Sequence, residues 1–292
     1  MPPASYTLKG RRRAVFPGDV VQSCATYSGH HDEFQVAWHT KPAAGGVATH
    51  PACGDVHLYA RVPGGFVSGL LDAPGHAPNP RTLELARTML NRVRMALRQA
   101  GVSLSTILRG LHDELQEMDA TGSCSFIQMD VKRRVVHAAT SASTPPVLYR
   151  NGEPPMLLGE SSIILGAPVS AVFKVTEHRL PRPGTGFIIG QHSDGNEVET
   201  PGGALFDPVK RFAEIFDTGL SAQANIALAF DELRKHHPVW VDDVSLQLVC
   251  VPPDDSMLSR RRPPLVAGTP PRAASATFNQ LFDAHDCHLA CA

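Results

Sequence analysis

Antiparallel hairpins leave an arithmetic mark in a sequence, and one such mark constrains this chain more than any other feature. Val56, Leu58, Ala60 and Val62 alternate as a half-buried strand should, Pro63-Gly64-Gly65 turns the chain, and Phe66 to Leu71 runs back. Facing residues of a hairpin have position numbers with a constant sum, so a turn centred on Pro63 and Gly64 sets Asp55 opposite Asp72. Their Cβ atoms then stand about 5 Å apart at the open end. Two carboxylates so placed repel each other, and the arrangement suits a cation held between them. Aspartate also ends strands for its turn chemistry alone, so the pair by itself leaves both readings open.

The elements around this hairpin follow from periodicity. Phe34, Val36 and Trp38 alternate as a strand. Asn79-Pro80 is a capping side chain followed by proline at the first helical position, and Leu83, Ala86, Leu90, Val93 and Leu97 then recur at helical spacing. Gly101 stops that helix, and Ser103 caps a second with Leu104, Leu108, Leu111 and Leu115 inward. A hairpin is expected over Ser123 to Asp130 and Arg134 to Thr140, and a strand over Val147 to Arg150 before the Asn151-Gly152 turn. Strands are also predicted over Val172 to Leu180 and Gly186 to Gly190. Asp207-Pro208 and Ser221 open two more helices, and Val244 to Val251 is the last strand. This order predicts an α+β fold: an αββα sandwich of two mostly antiparallel sheets flanked by helices.

Composition narrows what such a sandwich can do. At 292 residues and 42% hydrophobic, the chain can bury a substantial core in one large domain or two smaller ones. Its 27 Lys+Arg against 28 Asp+Glu give no electrostatic footprint for nucleic acid or an anionic membrane. No apolar run reaches the roughly 18–20 residues that span a bilayer, and the polar start through Arg11-Arg12-Arg13 does not read as a secretory signal. Cys24, Cys53, Cys124, Cys250, Cys287 and Cys291 are too scattered for a disulfide framework and fit reduced thiols, hence a cytoplasmic protein. Residues 1–33 read as a flexible lead-in, 34–253 as the folded domain and 254–292 as a Pro-rich disordered tail. His285, Cys287, His288 and Cys291 are spaced too tightly in that tail to be favoured as a metal site.

More aspartates stand at strand ends. Asp194 follows the strand Gly186 to Gly190, in Ser193-Asp194-Gly195, and Asp242 and Asp243 precede Val244 to Val251. If those strands are antiparallel neighbours, these carboxylates converge. All-carboxylate oxygen donors suit Mg²⁺ or Mn²⁺ rather than zinc. In this order the segments resemble a known family. Cys53-Gly54-Asp55, Asp72-Ala73-Pro74-Gly75-His76, His192-Ser193-Asp194-Gly195 and Asp242-Asp243-Val244-Ser245 are similar to the motifs of the PPM-type, metal-dependent serine/threonine phosphatases. The likeness is to their bacterial branch, typified by sporulation protein E, and within it to the small phosphatases that reset stress-signalling complexes. Thr144 to Gly152 is similar to the middle hairpin of that branch, although Ser141-Ala142-Ser143 departs from its usual residues.

The resemblance implies a sandwich of two antiparallel sheets and a centre of two Mn²⁺ or Mg²⁺ ions bridged by a water that attacks the phosphate directly. It assigns the bridging pair to Asp55 and Asp72, a further ligand to the Ala73 carbonyl, and the second metal to Asp194 and Asp242. Asp243 would orient rather than ligate, although the sequence does not separate it from Asp242. His76 is a candidate for acting on the leaving group, against the commoner case of a structural loop histidine. The implied substrate is a phosphorylated regulatory protein, such as an anti-sigma-factor antagonist, with no nucleic-acid or membrane partner. A non-catalytic signalling module of the same fold and a small-molecule phosphoester hydrolase are the alternatives.

Overall fold

The computed structural model describes residues 20–23, 27–41, 54–75, 79–99, 101–193, 206–236 and 243–254. Strands β1 (Val20–Ser23), β2 (Tyr27–His31) and β3 (Phe34–Lys41) are followed by the hairpin β4 (Asp55–Val62) and β5 (Gly65–Asp72). Helices α1 (Pro80–Leu97) and α2 (Leu104–Glu117) precede a second hairpin, β6 (Ser123–Asp130) and β7 (Val135–Ser141). Four short strands, β8 (Val147–Tyr149), β9 (Met156–Leu157), β10 (Ser161–Ser162) and β11 (Thr176–Arg179), lead to β12 (Phe187–His192). Helices α3 (Pro208–Ile215) and α4 (Ala222–His236) then precede β13 (Val244–Val251).

The strands form two sheets. One has the order β1-β4-β5-β6-β7-β10 with β11 also on β7, and the other β2-β3-β13-β12-β8-β9. Only β10 runs parallel to its neighbour among these pairings. Strand alternation sorts the apolar side chains into three layers. Leu58, Ala60 and Leu71 pack with Val93 and Leu108 of α1 and α2, while Leu246 and Leu248 pack with Phe212 and Phe230 of α3 and α4. Between the sheets, Phe34, Phe66, Ile127, Phe187 and Val249 meet. The αββα sandwich expected from the element order is the one observed.

The caps act as their residue types require. Asn79 accepts from the Arg81 amide at 3.0 Å, Ser103 from that of Thr106 at 3.2 Å and Asp207 from that of Lys210 at 3.1 Å. Two expectations need correction. First, β1 and β2 lie within residues 1–33, read above as a flexible lead-in. They are edge strands whose short sequences, VVQS and YSGHH, carry no alternation, so pairing with β4 and β3 defines them. Second, the strand expected over Val172 to Leu180 shortens to β11. The chain before it is held by α2 instead: the Gly166 amide donates to His112 Nδ1 at 3.1 Å, and His112 Nε2 meets the Val169 carbonyl at 3.0 Å. The tail beyond Asp254, with His285, Cys287, His288 and Cys291, lies outside the described residues. Among the described residues, no helix is long and apolar enough to cross a membrane.

Among the described residues, three strand histidines are buried: His39, His57 and His192. Burial pushes the pKa of His39 down to about 4, that of His57 to about 3 and that of His192 to about 4. The native state therefore keeps them neutral while the unfolded chain protonates them below about 6.5. Their stabilising contribution is full above that value and is lost as pH falls toward the native values. The metal-free protein should lose about 1 kcal/mol per histidine between about pH 7.5 and about pH 5.5, a window above ordinary carboxylate titration. Urea denaturation in EDTA at the two pH values measures this, and an unchanged or higher midpoint in acid would contradict it.

Candidate metal centre

The β4–β5 ladder places Asp55 opposite Asp72, in the register that the turn predicts. β6 continues the row, with Ser123 opposite Asp72, and the Ser123 hydroxyl donates to Asp72 Oδ2 at 3.1 Å. Three adjacent strands thus end level with one another in Asp55, Asp72 and Ser123. Asp55 is buried, at 1% exposure, while Asp72 is partly open. Sequence reasoning missed Ser123. The signal was available in principle, since the second hairpin follows two helices and must return beside the first.

The second sheet reaches the same place from the other side. β12 and β13 are antiparallel neighbours, as the convergence of their flanking aspartates required. Past the paired residues, the Ser193 amide donates to the Ser245 carbonyl at 3.1 Å, and the Ser245 amide to Ser193 Oγ at 3.0 Å. Ser193 Oγ in turn donates to the Asp243 carbonyl at 3.3 Å. This serine clamp brings the exit of β12 against the entry of β13. Asp194 and Asp242, each one residue beyond the clamp, lie outside the described residues, as does His76. Asp243 is buried, and its Oδ2 accepts from the Gly54 amide at 2.8 Å. That bond joins β13 of one sheet to the residue before Asp55 in the other.

Gly54 is the pivot of this junction. Its carbonyl accepts from the Ala73 amide at 3.1 Å, so it extends the hairpin ladder by one bond beyond the aspartates. A Cβ at Gly54 would lie 2.4 Å from the Ala73 carbonyl oxygen and 3.0 Å from that of Gly75, both backbone atoms with little room to move. The loop after Asp72 therefore folds its carbonyls onto the glycine. Thr82, in the first turn of α1, holds the loop there by donating to the Pro74 carbonyl at 2.9 Å.

The oxygen donors at this end are the facing carboxylates of Asp55 and Asp72 and the Ala73 and Gly75 carbonyls folded onto Gly54, whose amide reaches Asp243. All are hard oxygen atoms, and they fit Mg²⁺ or Mn²⁺ better than a thiolate- or imidazole-seeking ion. Among the described residues no group of three or more His, Cys, Asp or Glu side chains is gathered tightly enough to hold a metal. Cys124 and Cys250 are buried free thiols, in keeping with the reduced thiols expected, and burial pushes both well above the usual thiol range. They serve packing, not ligation.

Replacing Gly54 by alanine should drive the Ala73 loop off the strand end. We expect the metal-free protein to lose about 1–3 kcal/mol, as overpacked sites do. Mn²⁺ affinity should fall by at least about tenfold because the carboxylate frame moves. Denaturation and titration calorimetry read the two effects, and unchanged Mn²⁺ binding would show that the glycine junction does not shape the site.

Comparison with known proteins bears on this geometry. A protein-family model described as stage II sporulation protein E (SpoIIE) matches residues 72–252, more than half of the chain. RsbX, solved in complex with magnesium, is similar at 15% identity and a TM-score of 0.56, over 77% of this chain and 99% of that one. The PP2C phosphatase domain of SpoIIE from Bacillus subtilis, with a fragment of its regulatory domain, is similar at 16% identity and a TM-score of 0.61, over 76% and 63%. The SiaA PP2C domain of Pseudomonas aeruginosa is similar at 17% identity and a TM-score of 0.59, over 74% and 85%. At such identities these structures show a common fold. No curated protein matches the chain significantly.

Proposed function

Since the chain belongs to the stage II sporulation protein E family of PPM-type serine/threonine phosphatases, a class of metal-dependent hydrolases, we propose that it removes phosphate from phosphoserine or phosphothreonine on a regulatory protein. An anti-sigma-factor antagonist is the kind of substrate meant. The observation that carries the reading is the facing pair Asp55 and Asp72, tied through Gly54 to Asp243 of the opposite sheet. A scaffold has no use for carboxylates forced together, whereas a phosphoryl-transfer site does.

In this reading Asp55, Asp72 and the Ala73 carbonyl hold the ions at the ends of β4 and β5, and Asp194 and Asp242 complete the second site. Bound there, two Mn²⁺ or Mg²⁺ ions supply an activated water and neutralise charge on the phosphate oxygens. Magnesium is the ion recorded with RsbX, which supports the choice of hard cations. Asp243 is assigned the orienting role, its Oδ2 accepting from the Gly54 amide at the entry to β4. Ser123 keeps Asp72 turned toward the strand ends. His76, from the loop after Asp72, is assigned the leaving-group proton.

We take the catalytic domain to extend from β1 to the residues just after β13, with the remaining termini outside it. We also place the protein in the cytoplasm, where its regulatory phosphoprotein would be met and where the free thiols of Cys124 and Cys250 are at home.

Hydrolysis of a phosphoserine peptide should cease in EDTA and return with Mn²⁺ or Mg²⁺ but poorly with zinc. Asp194→Asn should lower the Mn²⁺-supported rate by at least about 10², the scale of losing preorganised charge stabilisation at a reacting phosphate. Full activity in metal-free protein would remove the mechanism. A strong preference for free phosphometabolites over phosphopeptides would replace the protein substrate by a small molecule.

A further inference from the structure

The face that each sheet turns toward the other changes character along its length. Reading every second residue, β13 presents Ser245, Gln247, Val249 and Val251; β6 presents Ser123, Ser125, Ile127 and Met129; β12 presents Phe187, Ile189 and Gln191, with Ser193 just beyond. On β4 the run is Asp55, His57, Tyr59. Far from the metal centre this interface is apolar. Directly beneath the carboxylates it is a layer of polar side chains, and Thr40, His57, Ser68, Ser125, Gln191, Ser245 and Gln247 are all buried, at no more than 4% exposure.

These side chains form one chain of hydrogen bonds across the sandwich. Gln191 Nε2 donates to the Ser125 carbonyl at 2.7 Å, and the Ser68 hydroxyl donates to Gln191 Oε1 at 3.1 Å. Gln247 Nε2 donates to Ser68 Oγ at 2.5 Å and to the Leu58 carbonyl at 3.1 Å. Gln247 Oε1 stands 2.9 Å from His57 Nδ1, His57 Nε2 2.8 Å from Thr40 Oγ1, and Thr40 Oγ1 2.6 Å from Ser245 Oγ.

The direction of every bond can be deduced. Gln247 Oε1 only accepts, so the neutral His57 ring carries its hydrogen on Nδ1 and accepts at Nε2. Thr40 must then donate to His57, and Ser245 must donate to Thr40. A chain with every donor and acceptor assigned has one register; a greasy contact of the same area would tolerate sliding. The indole of Trp38 stacks on His57 at a centroid distance of 5.6 Å and seals the layer from the apolar half.

Burying seven polar side chains between sheets is a poor way to gain stability, because well-packed apolar residues often do as well or better. Position explains them. The chain joins β3, β12 and β13 of one sheet to β4, β5 and β6 of the other, with His57 and Ser125 one step below the Asp55–Asp72–Ser123 row and Ser68 two steps below it. Its Ser245 end enters the serine clamp beside Asp243, and His57 is the next residue along the Asp55 face of β4. We propose that this buried hydrogen-bond chain, with Thr40, His57 and Gln247 at its centre, positions the metal-binding carboxylates by locking the register of one sheet against the other. The inference rests on the metal reading above and adds a set of positioning residues to it.

Thr40 offers the cleanest test, by titration calorimetry with Mn²⁺ on the full chain, alongside denaturation of the metal-free protein. Thr40→Val keeps the shape and removes the hydroxyl, while Thr40→Ser keeps the hydroxyl and removes a methyl group. If the chain positions the carboxylates, Thr40→Val should weaken Mn²⁺ binding by at least about tenfold, and Thr40→Ser should stay within about threefold of wild type. If Thr40 only fills space, the order reverses, with Thr40→Val binding Mn²⁺ like wild type, and the proposal falls. Should Thr40→Val not fold, Ser68→Ala interrupts the same chain more mildly. Its Mn²⁺ affinity must then drop at least about threefold for the proposal to stand. Absence of Mn²⁺ binding by the wild-type protein is a separate result, and it would overturn the metal reading itself.

Discussion

Two carboxylates fixed opposite one another by a backbone ladder repel, and the aspartate end of the sandwich is organised around that repulsion. At about 5 Å, in surroundings of effective dielectric about 20, the term is on the order of 3 kcal/mol. The ladder does not let the pair separate, because Asp55 and Asp72 are the terminal partners of an eight-residue register and Ala73 extends the bonding to Gly54. The neighbouring groups are arranged accordingly. Ser123 donates to Asp72, the Gly54 amide satisfies Asp243, and a first-turn threonine of α1 tethers the following loop.

A sandwich with its charge at one end needs its two sheets held in fixed relation, and the inter-sheet layer is divided to do so. The apolar half supplies most of the non-directional adhesion, with Phe34, Phe66, Phe187 and their neighbours fully buried. The polar half supplies direction. His57 is neutral within it, with a pKa near 3 set by complete burial, so the layer carries no charge that would compete with the carboxylates above.

Much of this was legible in the sequence, and the reasons are specific. The Asp55–Asp72 register followed from a turn whose centre Pro63-Gly64-Gly65 marks plainly, and once a hairpin's turn is known its far end is arithmetic. The helix starts at Asn79, Ser103 and Asp207 followed from capping chemistry that needs no tertiary context. The edge strands β1 and β2 were not legible, because an edge strand takes its conformation from the partner it pairs with rather than from its own alternation. The role of Gly54 was hidden for a related reason: the atoms that exclude a Cβ there belong to Ala73 and Gly75, nineteen and twenty-one positions on. The part played by His57 and Gln247 was hidden too, because their hydrogen-bond partners stand on the facing sheet.

The central claim is that Asp55 and Asp72 are held close by the fold and reconciled by a cation. Thermal melting of Asp72→Asn with and without Mn²⁺ tests it most directly, with Asp113→Asn on the exposed face of α2 as a control for charge removal in general. Removing one of two facing charges should leave the metal-free melting temperature equal to or above that of wild type, and should shrink the gain on adding Mn²⁺. Asp113→Asn should change neither. A metal-free Asp72→Asn protein that melts well below wild type, yet keeps the full Mn²⁺-induced gain, would contradict the account.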